Sequence, residues 1–287
     1  MSAALTEARD KFHQDLVARE TLSLSPDGVA SNADKSQKTS VSIASSIADA
    51  LSARIIEKKL DGQRAGKQFE EAVEGFLAEI FPLFSSLRPG AWSVENVGGS
   101  RVEYQISKYE PYAHLADLAN AIKENRNLAS VLGNSYEISP DILVLRKPEP
   151  DEVINRDQNL VDADSGQYAV IRMANQNRPI VHAIVSCKWT LRSDRAQNAR
   201  SEALNIIRNR KGRTPHIAVV TGEPSPSRLA SLALGTGDID TVYHFALPEL
   251  IQAVDATQND EAISMLSTLV AGKRLRDISD LPLDLAI

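Results

Sequence analysis

The sequence predicts an α/β or α+β protein, and three observations carry that prediction. Apolar runs rich in Val and Ile, of strand length, alternate along the chain with apolar residues at helical spacing, which excludes a pure helix bundle or a β-sandwich. The 287 residues are 43% hydrophobic, enough for a real core in one large domain or two modest ones. No stretch approaches the roughly eighteen or more apolar residues of a membrane span. The start, MSAALTEARDKFHQDL, lacks a basic region followed by an apolar one, so a cytoplasmic protein is expected.

In chain order, TSVSIASSIADALSARIIEKKL (39–60) has helical periodicity with Ser and Thr near its start, and DGQRAG breaks it. KQFEEAVEGFLAEIF (67–81) is a second amphipathic helix with Phe69, Val73, Phe76, Leu77 and Ile80 on one face. A loop through RPGAW and VGGS leads to a strand near RVEYQIS and a helix in YAHLADLANAIKENRNLASVL. YEISPDILVLRK (136–147) reads as a strand interrupted by Pro140, which fits only an edge or a bulge. Further strands are expected at 180–189 and 215–221, joined by a helix from Asp194 to about Arg208. PELIQAVDA and DEAISMLSTLVAG are closing helices.

Charge and metal chemistry narrow the function. The net charge is −6, yet Lys188 to Arg213 holds eight basic residues against two acids, a local +6 that leaves −12 on the rest. A basic segment on an acidic body suits a protein that meets polyanion on one face; a solvated basic helix is the ordinary alternative. Five scattered histidines and the single Cys187 give no zinc-ligand spacing, so a metal here would rest on carboxylates.

Asp141 follows Pro140 at an irregularity in its strand, Lys188 ends the strand IVHAIVSCK, Glu202 lies on the following helix, and Glu70 sits beside the apolar stripe of the 67–81 helix. Three carboxylates and a lysine that converge at one end of a sheet are the parts of a phosphodiester-hydrolysing site. Carboxylates hold Mg²⁺, which activates water and neutralises charge on the phosphate, while the ammonium orients or stabilises. Each residue also has a plainer reading: Asp141 as a turn residue, Glu70 and Glu202 as solvated helix acids, Lys188 snorkelling from its strand.

SPD at 139–141, SCK at 186–188, RSDR at 192–195 and Glu202 together resemble the PD-(D/E)XK type II restriction endonucleases, in particular the subgroup that cuts CCGG-containing sites. The general pattern has an acid two residues before the lysine. Here that position is Ser186, and Glu202, fourteen residues beyond Lys188, matches the acid that this subgroup displaces to the next helix. VASNAD, YAHL, RNRKGR, PSR at 226–228, DTVYHFAL and DISDLPLDLA extend the similarity over almost the whole chain, towards members that cut GCCGGC.

The resemblance implies a central mixed sheet flanked by helices in a single domain over 1–287. Its parts would be a helical region to about 90, a catalytic sheet core over about 91–246 and C-terminal helices over about 247–287. It implies an active site of Glu70, Asp141, Ser186, Lys188 and Glu202, with two Mg²⁺ held by Asp141, Glu202 and Glu70. It implies that Arg192, Asp194 and Arg195 read the central CCGG, Asp34 and Arg228 the outer G·C pair, and that Gln63 touches the minor groove. Arginine is bidentate to guanine O6 and N7 and aspartate accepts from the cytosine amino group, so the chemistry suits those roles. The implied partners are double-stranded DNA, a homodimer doubled into a homotetramer, and a cognate DNA methyltransferase. A DNA-binding protein that no longer cuts and a structure-selective repair nuclease are the alternatives; the presence of every acid with the lysine opposes the first, and RSDR opposes the second.

Overall fold

The structure is a computed structural model that describes residues 2–98, 105–125, 127, 130, 138, 140–191, 193–235 and 237–287; for residues 105 and 193–196 it describes the backbone alone. Its helices are α1 (Ala4–Ala18), α2 (Lys38–Ala50), α3 (Gly62–Ile80), α4 (Leu115–Glu124), α5 (Asp151–Ile154), α6 (Ser193–Asn209), α7 (Pro226–Ala233), α8 (Leu247–Ala256), α9 (Asp260–Ala271) and α10 (Leu281–Asp284). A short parallel pair, β1 (Ser23–Leu24) with β2 (Arg54–Ile55), stands apart from the main sheet. That sheet runs in the order β3 (Trp92–Asn96), β4 (Ile142–Arg146), β5 (Ile180–Lys188), β6 (His216–Thr221), β7 (Thr241–His244), β8 (Leu275–Asp277).

The mixed sheet expected from the sequence is present. β3, β4 and β5 pair antiparallel, and β5 through β8 pair parallel. Parallel neighbours need crossovers, supplied by α6 between β5 and β6, α7 between β6 and β7, and α8 with α9 between β7 and β8. β5 is therefore covered on both faces. This is why Val181 to Val185 form a continuous buried run rather than an alternating one. One cluster of buried apolar residues extends from Ala8 to Leu285.

α3 buries Phe69, Ala72, Val73, Phe76, Leu77 and Ile80, the stripe expected from its spacing. It starts earlier than the periodicity predicts, because the Asp61 carboxylate caps it by accepting from Gln63 N (3.0 Å) and Arg64 N (2.9 Å). DGQRAG is thus a helix start, not a break. The helix expected over 39–60 ends at Ala50, where Ala53 N donates to Ala48 O and Ser52 N to Asp49 O around a left-handed Ser52 (φ 56°). That C-terminal wrap stops the helix, and Arg54 and Ile55 become β2.

Two further corrections move the site. Pro140 lies ahead of β4 and not inside it, and β4 is an interior strand between β3 and β5, so Asp141 is not at a sheet edge. β3 occupies part of the span expected to be loop. The strand expected near 101–107 is not seen: residues 105–108 form a 3₁₀ turn, and 101–104 lie outside the described residues.

Candidate active site

The β4–β5 register sets Ile142 against Val185, which brings Asp141 to the level of Ser186. Asp141 Oδ2 accepts from Cys187 N at 2.7 Å, Ser186 Oγ at 3.2 Å and Lys188 Nζ at 3.4 Å. Its carbonyl accepts from Val97 N (2.9 Å) and Gly98 N (3.0 Å), continuing the β3–β4 pairing by one residue. Alternation along β5 turns Ser186 and Lys188 to one face and Cys187 to the other. From that other face the buried Cys187 thiol contributes packing, its pKa pushed well up by burial.

α6 returns over the end of β5 and brings Glu202 Oε2 to 3.5 Å from Lys188 Nζ, with the Ser186 hydroxyl also in reach of that carboxylate. α3 delivers Glu70 from the other side. A Cβ on Gly98 would lie 2.8 Å from Glu70 Oε2 and 3.4 Å from the Asp141 Cα, so a larger residue here would displace the Glu70 carboxylate. Glu70, Asp141, Ser186, Lys188 and Glu202, spread between positions 70 and 202 of the sequence, meet at one end of β4 and β5. Gln63, on the first turn of α3, lines the same cleft of about 370 Å³ with Asn198.

Three carboxylates here face the Lys188 ammonium, with Lys67 at the cleft wall beside Glu70. Burial, and then the Asp141 charge, push Glu70 up to about 7 against the pull of Lys188. Burial raises Glu202 as well, with Lys188 pulling it down and Asp141 adding to the rise. Burial would lower Lys188, but Asp141 and Glu202 outweigh it and its pKa is raised, so the side chain, 16% exposed, stays an ammonium at neutral pH. Among the described residues no three acids, histidines or cysteines form a ready-made metal cage. The donor set nonetheless fits a hard divalent cation. It offers carboxylate oxygens, and burial together with the neighbouring Asp141 charge makes ionised Glu70 costly unless positive charge is added.

A second cleft, of about 500 Å³, adjoins the first at Gly62 and Trp189. Trp189 follows Lys188 and packs between Phe69, tilted at 5.0 Å, and Phe245, edge-on at 5.4 Å between ring centroids. A Cβ on Gly222 would strike its ring at 2.5 Å. Asp34 and Arg228, 194 positions apart, meet in this cleft as a hydrogen-bonded ion pair. The Ser36 hydroxyl and amide, with Arg228, hold the Asp34 carboxyl down to about 2. On its other side Arg228 NH1 lies 3.7 Å from Glu223, a buried carboxyl that sequence reasoning did not single out. Burial pushes Glu223 up to about 7. Its only sequence signal is an acid directly after the apolar run of β6. Arg192 lies outside the described residues; Asp194 and Arg195 fall on the first turn of α6, with their side chains outside the described set.

Known proteins match this arrangement through their sequences. The profile of the NgoMIV restriction enzyme family matches residues 12–287. The chain belongs to that family. It is 50% identical over 287 residues, the whole of both chains, to the type II restriction enzyme NgoMIV of Neisseria gonorrhoeae. Membership in the NgoMIV family makes it a restriction endonuclease, a site-specific deoxyribonuclease, as its motifs led one to expect. The solved complex of restriction endonuclease PspGI with substrate DNA is similar over 99% of this chain and 92% of that one, at 11% identity and a TM-score of 0.30. Restriction enzymes of type II generally need a divalent metal ion, which agrees with the acid-rich cleft. Among the described residues no helix is long and apolar enough to cross a membrane.

Proposed function

We propose that the chain hydrolyses both strands of duplex DNA at GCCGGC with Mg²⁺, through Asp141, Glu202, Glu70, Lys188 and Ser186. The observation that supports this most is the convergence of Asp141, Lys188 and Glu202 within 3.5 Å contacts, with Glu70 beside them, at one sheet end. The three carboxylates would hold the cation, two ions per site, whose chemistry is to lower the pKa of a water and neutralise charge at the phosphate.

The chain's own residues do the rest. The Cys187 amide fixes the Asp141 carboxylate so that it does not need to reorganise when the site fills. Lys188, held as an ammonium by two acids, hands its charge to a non-bridging phosphate oxygen when the DNA arrives. As an ammonium it serves there as a hydrogen-bond donor. Ser186 faces both Asp141 and Glu202 and keeps the two carboxylates in register. Arg192, Asp194 and Arg195 read the central CCGG, Asp34 and Arg228 the outer pair, and Gln63 reaches the minor groove. The palindrome asks for a two-fold dimer, which the NgoMIV likeness extends to a tetramer, in a cell protected by a cognate methyltransferase. All of this sits in one restriction endonuclease domain over 1–287, acting in the cytoplasm.

Asp141→Ala provides the test. Site-specific binding in Ca²⁺ should persist while Mg²⁺-dependent cutting disappears, and substantial cutting by this variant would remove the site assignment.

A further inference from the structure

Glu223 stands two residues past β6, fully buried and yet an acid. Its oxygens are divided among three backbone and side-chain partners. Oε2 accepts from Leu191 N at 2.8 Å and lies 3.7 Å from Arg228 NH1; Oε1 accepts from Ser225 N at 3.1 Å. Leu191 is the residue directly before Arg192, and Ser225 is the N-cap residue of α7, the helix that carries Arg228. The neighbours of Glu223 extend the same junction. Thr221 Oγ1 (2.7 Å) and Gly222 N (3.3 Å) donate to Lys188 O, and Asn32 Nδ2 donates to Gly222 O at 2.7 Å, from the loop that holds Asp34. Burying a carboxylate is costly unless its oxygens are satisfied, and an apolar residue could fill this volume without that cost. The partners it has are the starts of both DNA-reading segments.

We propose that Glu223 is a positioning residue that joins the two readers, holding the chain entry to Arg192–Arg195 and the Arg228 guanidinium in one frame. It sets discrimination at the central and outer base pairs without touching DNA or the scissile phosphate. The inference rests on the proposed reading roles of Arg228 and of residues 192–195. A carboxylate can accept from Leu191 and attract Arg228 with the same charged oxygen. The amide of Gln has one acceptor oxygen only, and its NH₂ would face either the Ser225 amide or the Arg228 donors.

The test compares initial cleavage rates on three matched duplexes, GCCGGC, ACCGGT and GCTAGC, for the unmodified protein, Glu223→Gln, Glu223→Asp and Arg228→Ala with and without Glu223→Gln, at a temperature where all are folded by circular dichroism. In Glu223→Gln both the GCCGGC/ACCGGT and GCCGGC/GCTAGC ratios should fall by about tenfold or more. Glu223→Asp, which keeps the charge, should restore part of each. In the Arg228→Ala background the second substitution should lower only the central ratio further, because Glu223 acts on the outer pair through the Arg228 guanidinium. A role in stability alone would lower the melting temperature and leave the ratios intact. The proposal is overturned if both Glu223 variants keep both ratios within about twofold of the unmodified protein. If the unmodified protein itself does not distinguish the three duplexes, the failure lies instead in the reading roles on which the inference rests.

Discussion

The two adjoining clefts solve opposite electrostatic problems. Around Lys188, acids outnumber cations: burial raises Glu70 and Glu202, and the Asp141 charge adds to the rise of both. Around Arg228, one guanidinium serves Asp34 on one side and Glu223 on the other, and Lys35 and Lys59 line the same cleft, so acids there do not outnumber cations. The carboxylates of the first cleft suit the cation proposed for it. In the second, the proposed reading of the outer pair requires Asp34 and Arg228 to exchange their mutual bond for base edges. A site that has to give up an internal ion pair accepts DNA only where the replacement bonds are as good, which is a source of discrimination and not of rate.

Substitutions in the two clefts should therefore fail in different ways. Asp141→Ala should reduce cleavage of every sequence by roughly 10³-fold or more, an effect of several kcal/mol on the chemical step, with specific binding retained in Ca²⁺. Selective loss on one sequence would break the division between the clefts. Arg228→Ala or Asp34→Ala should leave cutting in place but admit ACCGGT, shrinking a preference for GCCGGC worth roughly 1–3 kcal/mol. Equal rates of the unmodified protein on the two duplexes would make it a relaxed RCCGGY enzyme. Arg195→Ala should cost roughly 1–3 kcal/mol of discrimination at the central pairs. A uniform loss on all sequences, with the salt slope lowered by about one, would mark that arginine as a phosphate contact.

Assembly has its own readout. If two dimers join, a plasmid with two sites is cut faster than one with a single site, because looping raises the local concentration of the second duplex. Equal rates together with a dimer mass by sedimentation would exclude the tetramer.

The smallest effect tests the charge imbalance directly. Glu70 has its folded-state pKa raised, so its ionisation destabilises the folded protein: the penalty is absent below about 4.5, grows as pH rises, and is complete above about 7. Glu70→Gln should thus raise the melting temperature of metal-free protein at pH 8, by a few degrees at most, and do so less at pH 5. A variant less stable at pH 8 than at pH 5, relative to the unmodified protein, would show that the acids do not repel as described.

Much of the proposed catalytic cleft was legible because its residues lie on or beside elements with strong patterns. Lys188 ends an apolar run, Glu202 is on the helix that must follow a parallel strand, and Glu70 adjoins a clear amphipathic stripe. The second cleft was not legible from periodicity. Asp34 and Arg228 sit in polar segments 194 positions apart, and only the family likeness paired them. Glu223 carries no pattern at all, since a buried acid after a strand looks like a loop acid until its partners are seen. β3 was missed because Trp92–Asn96 is only partly buried and mixes Ser, Glu and Asn with Trp and Val. α1 was missed although Ala8, Phe12 and Leu16 fall four apart, because its polar residues outweigh that narrow stripe. Pro140 misled in the other direction: lacking an N–H, it marks where the β4 ladder can begin and not where the strand is flawed.

The most direct measurement is digestion of a sequenced plasmid with Mg²⁺ and mapping of every end produced. The account predicts ends at GCCGGC alone, in both strands, and none when EDTA is present. Ends at sites without CCGG, or cutting that persists in EDTA, would contradict it.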